Sequence, residues 1–259
     1  MKLILNESEL IKKIIEENYI DIQTPIKTLN ILSKYYFRNN MKKEQVRIAI
    51  EDYASKYIKG YNIVSWENRI KKIVSYGNRN KDKINDISQI NITRKEIEII
   101  KSIEDKNLQM FAFGLLVYAK IYNILNKNEV YWVNAADKEI FKDCNLKVTI
   151  KQQLSMFYEL VQLNLIEVSK KVNCTNVKVL YACEDDDIAI NVKDFNNIDY
   201  EYLRYIGDKI KNCEVCGCLI KITISNIMYC KDCAKKVKNE KTLNIIRKKR
   251  NARKQGIYK

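Results

Sequence analysis

Apolar side chains recur three and four positions apart through most of the first 165 residues, the spacing that lays one stripe along a helix. Residues 6–18 predict a first helix. Thr24-Pro25 predicts the start of a second, because the fixed φ and missing N–H of proline suit the first helical position. Residues 26–39 carry it, with Leu29, Leu32, Tyr35 and Tyr36 inward. Residues 42–58 give a third with Val46, Ile48, Ile50, Tyr53 and Tyr57 inward, and residues 65–75 give a fourth. Residues 1–77 are thus expected to form a helical bundle, whose tyrosines serve as core. The polar, highly charged stretch that follows makes residues 78–91 the expected linker.

Residues 92–207 show a different order. Thr93-Arg-Lys-Glu96 is a capping box opening a short helix. Residues 108–125 are apolar on most sides and predict a buried spine. Residues 130–133 predict a strand and residues 136–143 a short helix. Residues 148–163 predict a longer helix with Ile150, Leu154, Phe157, Leu160 and Val161 inward. Asn164 stands where a left-handed residue ends that helix. Residues 168–182 then read as two strands around a tip holding Lys170, Lys171, Asn173 and Asn176. Helix, strand, helix, turn, helix, hairpin is the order of a winged helix, in which the helix after the turn lies in a DNA major groove. Thr149, Lys151, Gln152 and Ser155 on the outward face of that helix, with Lys170 and Lys171 on the wing, are the candidate contacts. The same fold also serves protein binding, and that alternative stands beside the first. The acidic run 184–187 has no positioned base near it and reads as a solvated turn.

Composition narrows the chemistry. The chain of 259 residues has no histidine, which excludes imidazole bases, Ser-His-Asp and Cys-His nucleophiles, and imidazole zinc ligands. No phosphate-binding glycine loop is present, and no enzymatic activity is expected. The longest uncharged apolar run, residues 110–119, is too short to span a bilayer. The opening Met-Lys-Leu-Ile-Leu meets Asn6, Glu7 and Glu9 at once, so no secretory signal and no membrane partner are expected, and the location expected is the cytoplasm.

The eight cysteines matter most. Cys213-x-x-Cys216 and Cys230-x-x-Cys233 are separated by thirteen residues, the spacing of a four-cysteine zinc ribbon over residues 208–233. Four sulfurs leave no open position, so zinc is the expected cofactor in a structural role. Cys218 is expected to point away, and Cys144, Cys174 and Cys183 to pack as small apolar residues.

Charge concentrates beyond the first knuckle. Residues 211–259 hold fourteen Lys and Arg against three acids, whereas the first 210 residues hold 33 against 29. Residues 234–259 read as a basic helical tail carrying Lys235, Lys236, Lys238, Lys241, Arg247, Lys248, Lys249, Arg250, Arg253 and Lys254, with an apolar stripe too narrow for full burial. Such a tail points to a polyanion, with DNA ahead of RNA.

Trp132-Val-Asn134, Lys138-Glu-Ile-Phe141, Leu163-Asn-Leu-Ile166, residues 199–206 and Tyr229-Cys-Lys-Asp-Cys-Ala234 together resemble a largely uncharacterised group of phage and prophage proteins of low-GC Gram-positive bacteria. That group pairs a helical N-terminal region and a winged-helix-like middle with a C-terminal zinc ribbon. Residues 29–76 also resemble the small helical domain accompanying some phage primases. The resemblance implies a mobile-element origin. The fold class expected is mainly α: helical bundle, winged helix, four-cysteine zinc ribbon and basic helix. The function expected is nucleic-acid binding in replication initiation or transcription control. The alternative is inhibition of a host nucleoprotein machine, such as a CRISPR effector, another defence complex or RNA polymerase.

Overall fold

The computed structural model of the protein describes residues 5–22, 24–83, 85–126, 130–169, 176–195, 197–223 and 227–254. It is mainly helical, with ten helices and three small sheets among the described residues. The chain divides into a unit ending at Ser88 and a unit running from Gln89 to its end.

The first unit holds α1 (Glu7–Glu17), α2 (Pro25–Arg38), α3 (Lys43–Tyr57) and α4 (Ile63–Asn80). Asn6 caps α1 by accepting the Glu9 N–H, Asn18 ends it in the left-handed conformation, and Asn62 caps α4. Ile14, Leu29, Leu32, Val46, Ile50, Ile70 and Ile73 form the core. Tyr53 is buried and donates to the Tyr19 carbonyl at 2.8 Å. The inward reading of Ile48 and Tyr57 fails: both are exposed, because α3 turns only Val46, Ile50, Tyr53 and Ala54 to its neighbours.

The expected linker at residues 78–91 is largely structured. Its first residues finish α4 and its last begin a strand. Between them Asp86 accepts from the backbone and hydroxyl of Ser8, and Ile87 is buried. Glu7 is also buried and pairs with Lys34 at 2.5 Å while accepting from Asn85. Polar residues that look like solvent exposure in sequence are therefore partners for the start of α1.

The second unit contains β1 (Ile90–Thr93), α5 (Arg94–Lys101), α6 (Lys106–Asn126), β2 (Trp132–Val133), α7 (Asp137–Asp143), α8 (Ile150–Gln162), β3 (Ile166–Val168), β4 (Val177–Val179), β5 (Ile188–Val192), α9 (Ile198–Tyr205), β6 (Ile210–Asn212), β7 (Leu219–Lys221) and α10 (Lys231–Lys254). Helix α6 is the spine. It has the length and hydropathy of a membrane span, and 72% of its apolar window is buried inside the unit. Phe111 stacks on Phe141 of α7, and Gly114 lets Cys144 approach where a Cβ would lie 2.0 Å from its sulfur. Burial pushes the Cys144 thiol well up, as its expected packing role requires. Cys183 is half-buried against the Thr93 hydroxyl, and Cys174 lies outside the described residues.

One charge inside α6 organises the second unit. Buried Lys120 donates to Glu96 at 2.9 Å and to the carbonyls of Asn91 and Cys183 at 3.0 Å each. Glu96 also accepts from the Thr93 and Cys183 backbones, so the expected capping box doubles as a buried ion-pair site. All three ammonium donors are used, which is the condition for burying a charge at tolerable cost. This network fastens β1 to the segment leading into β5, its antiparallel partner. The acidic run is not simply solvated. Asp187 pairs with Arg94, Asp185 with Lys95, and Glu184 accepts from Tyr131. These acids offset two bases placed unfavourably at the N-terminus of α5.

A second sheet runs β2-β4-β3, all antiparallel, beside α6 and α8. Asn164 has φ 55° and closes α8 as expected. The face of α8 differs from expectation: Met156 and Leu160 are buried, while Ile150 and Leu154 are 76% and 63% exposed. Apolar residues occupy several faces of α8, so spacing alone left the buried stripe ambiguous.

Asp199, in the first turn of α9, is fully buried and accepts from Asn145 at 2.7 Å. Burial pushes its carboxyl up to about 6, with the Asn145 hydrogen bond acting against the rise. An unfolded aspartate releases its proton near pH 3.9, so the folded state binds more protons between about pH 4 and 6, and stability must fall as pH rises through that window. Urea denaturation of Asp199→Asn is expected to show a gain of about 3 kcal/mol over the parent at pH 7 that closes by pH 4. A pH-independent difference would contradict this.

Candidate metal centre and basic helix

The first cysteine knuckle is the turn between β6 and β7, which pair antiparallel from Ile210 opposite Lys221 to Asn212 opposite Leu219. The Cys213 N–H donates to the Cys218 carbonyl at 2.8 Å, and the Gly217 N–H to the Cys213 carbonyl at 2.9 Å. Gly217 has φ 73°, which the turn requires and a side chain would resist. Asn212 clamps the knuckle by donating to the Gly217 carbonyl at 2.8 Å. The second knuckle opens α10: Cys230 precedes the helix, Cys233 lies in its first turn, and the Ala234 N–H returns to the Cys230 carbonyl at 2.8 Å. The Glu214 N–H donates to the Met228 carbonyl at 3.1 Å, joining the two knuckles through backbone.

The sulfurs of Cys213, Cys216, Cys230 and Cys233 all lie within 4.8 Å of one another. The Cys216–Cys230 separation is 3.8 Å, and a tetrahedral ion with Zn–S bonds of about 2.3 Å needs edges of about 3.8 Å. The Cys230 N–H points at the Cys213 sulfur at 3.3 Å, and the Cys233 N–H at the Cys230 sulfur at 3.4 Å. Burial opposes ionisation of Cys213, yet backbone donors from Cys216, Cys230 and Val215 bring its thiol down to about 6. Cys230 is lowered chiefly by the Cys233 N–H, whereas hydrogen bonding to the Cys230 and Cys216 sulfurs pushes the Cys233 thiol up to about 12. Oriented N–H groups favouring thiolate are what a metal site needs. The four cysteines are compatible with a metal such as zinc.

Few groups besides the sulfurs hold this ribbon closed. Its core is Cys213, Ile220 and Cys233, with Ile227 and Tyr229 half-buried against them. It is docked on the rest of the unit by buried Leu219, whose N–H donates to Asp194 at 2.9 Å. Cys218 departs from expectation. Its sulfur is 3.3 Å from that of Cys216, in contact with the cluster and not turned away. The i, i+2 spacing of Cys216 and Cys218 was the available signal.

Helix α10 leaves the second knuckle and stays in solvent. Lys235, Lys236, Lys238, Lys241, Arg247 and Arg250 are exposed, and none forms an ion pair among the described residues. The side chains of Lys248, Lys249, Arg253 and Lys254 lie outside the described residues. Leu243, Ile245 and Ile246 are exposed, as their narrow stripe implied.

The candidate contacts on α8 are mostly engaged within it. Thr149 is the N-cap and exchanges hydrogen bonds with Gln152 at 2.8, 2.9 and 3.3 Å. Ser155 donates to Glu159 at 2.9 Å, and Lys151 is exposed. Lys170 and Lys171 lie outside the described residues.

Chelation tests the closure of the ribbon. Structural zinc contributes on the order of 10 kcal/mol to folding small domains. A strong zinc chelator is therefore expected to abolish amide-exchange protection across residues 208–223 and the first turn of α10, leaving α2 and α4 protected. Cys213→Ser is expected to reproduce that pattern without chelator. Undiminished protection in both experiments would contradict a metal-closed ribbon. Comparison of the chain with protein-family models, curated proteins and solved structures finds no match.

Proposed function

We propose that this is a nucleic-acid-binding protein in which a zinc ribbon aims a cationic helix along a phosphate backbone. The observation that carries the reading is α10: 24 residues long, or about 36 Å, with six described bases beyond its first turn exposed and unpaired and Glu240 as the one acid there. Unpaired cations held on a rod lose little on meeting phosphates and release the counterions condensed there. Such contacts position the protein without reading sequence. Duplex DNA is preferred to RNA as the target. A role in replication initiation or transcription control of a phage or other mobile element follows from the resemblance. Zinc in this reading is structural, and the protein performs no chemistry.

The winged-helix reading is supported by α7, α8 and the β2-β4-β3 sheet in their order. The surface of α8 favours a second use for it. Ile150, Leu154 and Tyr158, at 76%, 63% and 64% exposure, form a stripe at i, i+4 and i+8. An apolar stripe suits a protein surface better than base edges. The runner-up reading is therefore an inhibitor that docks through α8 on a host nucleoprotein machine, such as a CRISPR effector or RNA polymerase, and covers its nucleic-acid channel with α10.

Fluorescence anisotropy with a labelled duplex separates the two. If α10 contacts six or more phosphates, affinity should fall by about 10³ between 50 and 200 mM salt. Replacing Lys235, Lys238, Lys241, Arg247 and Arg250 with Gln should remove most of the binding and most of the salt slope. Unchanged affinity in that variant would defeat the first reading. A stoichiometric partner retained from nuclease-treated host lysate and lost in Leu154→Glu would favour the second.

A further inference from the structure

A cleft of about 630 Å³ opens between the α7–α8 connection, α9, β7 and the start of α10. Its size is within the range of small-molecule sites. Five lysines line it: Lys138 and Lys142 from α7, Lys147 from the connection, Lys221 from β7 and Lys231 from α10. Four of them have no ion pair among the described residues, and Lys221 has a long one of 3.5 Å to Asp208. Lysines that converge from four separate elements repel one another, and the arrangement calls for a multiply charged anion.

A second observation restricts the ligand. The one acid lining the cleft is Asp199, fully buried. Asn145 occupies its Oδ1, and its Oδ2 has no hydrogen-bond partner. A buried carboxyl oxygen without a partner is costly and calls for a donor. A fully ionised phosphate cannot supply one. Tyr200, the next residue in the chain and half-buried, lines the same cleft and brings an aromatic ring to it. The ligand must bring several negative charges, a flat apolar face and an N–H group.

We propose that the cleft binds a nucleotide, with the lysines on its phosphates, Tyr200 against its base and Asp199 Oδ2 accepting an N–H of that base. Apart from Lys231 in the first turn of α10, the site uses none of the exposed bases of that helix, and it does not require that α10 bind a polymer. The nucleotide could be free or form the 5′-phosphorylated end of a strand, since both present the same groups.

Isothermal titration of the full chain with ATP, inorganic pyrophosphate and a 5′-phosphorylated dinucleotide tests the proposal. ATP or the dinucleotide is expected to bind at least tenfold more tightly than pyrophosphate, and the tighter of the two identifies the source. Lys142→Gln with Lys147→Gln should weaken nucleotide binding at least tenfold. Asp199→Asn should cut the preference over pyrophosphate at least fivefold, while pyrophosphate affinity holds or rises because a negative charge has left the cleft. The five-site α10 variant should keep nucleotide binding even where it loses duplex binding, so the two sites fail independently. Equal affinity for pyrophosphate and both nucleotides, or nucleotide affinity unmoved by the paired lysine substitutions, would overturn the proposal.

Discussion

Everything distinctive about the C-terminal part of the chain depends on four sulfurs meeting at one point. The ribbon buries Cys213, Ile220 and Cys233 and little else, far too little apolar surface to order its chain by burial alone. The knuckles supply oriented N–H groups and a left-handed glycine. What they leave unsolved is the repulsion of thiolates held within 4.8 Å, which a divalent cation converts into attraction. Because Cys233 belongs to the first turn of α10, closing that site also fixes the direction in which the basic helix leaves the body.

The second unit handles its other charges by the opposite means. Lys120 and Glu96 are buried with every donor and most acceptor capacity used by backbone and by each other, so an ion pair inside an apolar helix pins two strands distant in sequence. Asp199 is the exception, with one oxygen satisfied and one not. A fold that satisfies Lys120 so fully and leaves Asp199 half-satisfied, beside five lysines, locates its unfinished chemistry at that cleft.

Much of this was legible in the sequence, and the reasons are specific. Asn6, Pro25, Thr93 and Asn164 are local signals whose geometry is decided by their own side chains, and each sits at a helix end. The cysteine spacing is equally local. What was not legible is set by distant partners. Strand β1 pairs with β5 about a hundred residues on, and nothing within either strand names the other. The polar stretch after α4 read as a linker because its use of Asp86 and Asn85 depends on Ser8 and Glu7. The cleft was invisible because its lysines come from four elements and look like ordinary solvated residues in each. The buried face of α8 was misjudged because its apolar residues exceed one stripe.

The body and the tail thus play different physical parts. A nearly neutral body pairs many of its charges, with the cleft lysines as the exception, and a strongly cationic helix keeps its described charges beyond the first turn unpaired on an arm that leaves the four-cysteine cluster. X-ray absorption at the zinc edge, with metal quantified per chain, tests that arrangement most directly. The account predicts one zinc per chain with four sulfur neighbours at about 2.3 Å and no nitrogen or oxygen in the shell. Purified, folded protein with no bound metal, or with a metal held by fewer than four sulfurs, would contradict it.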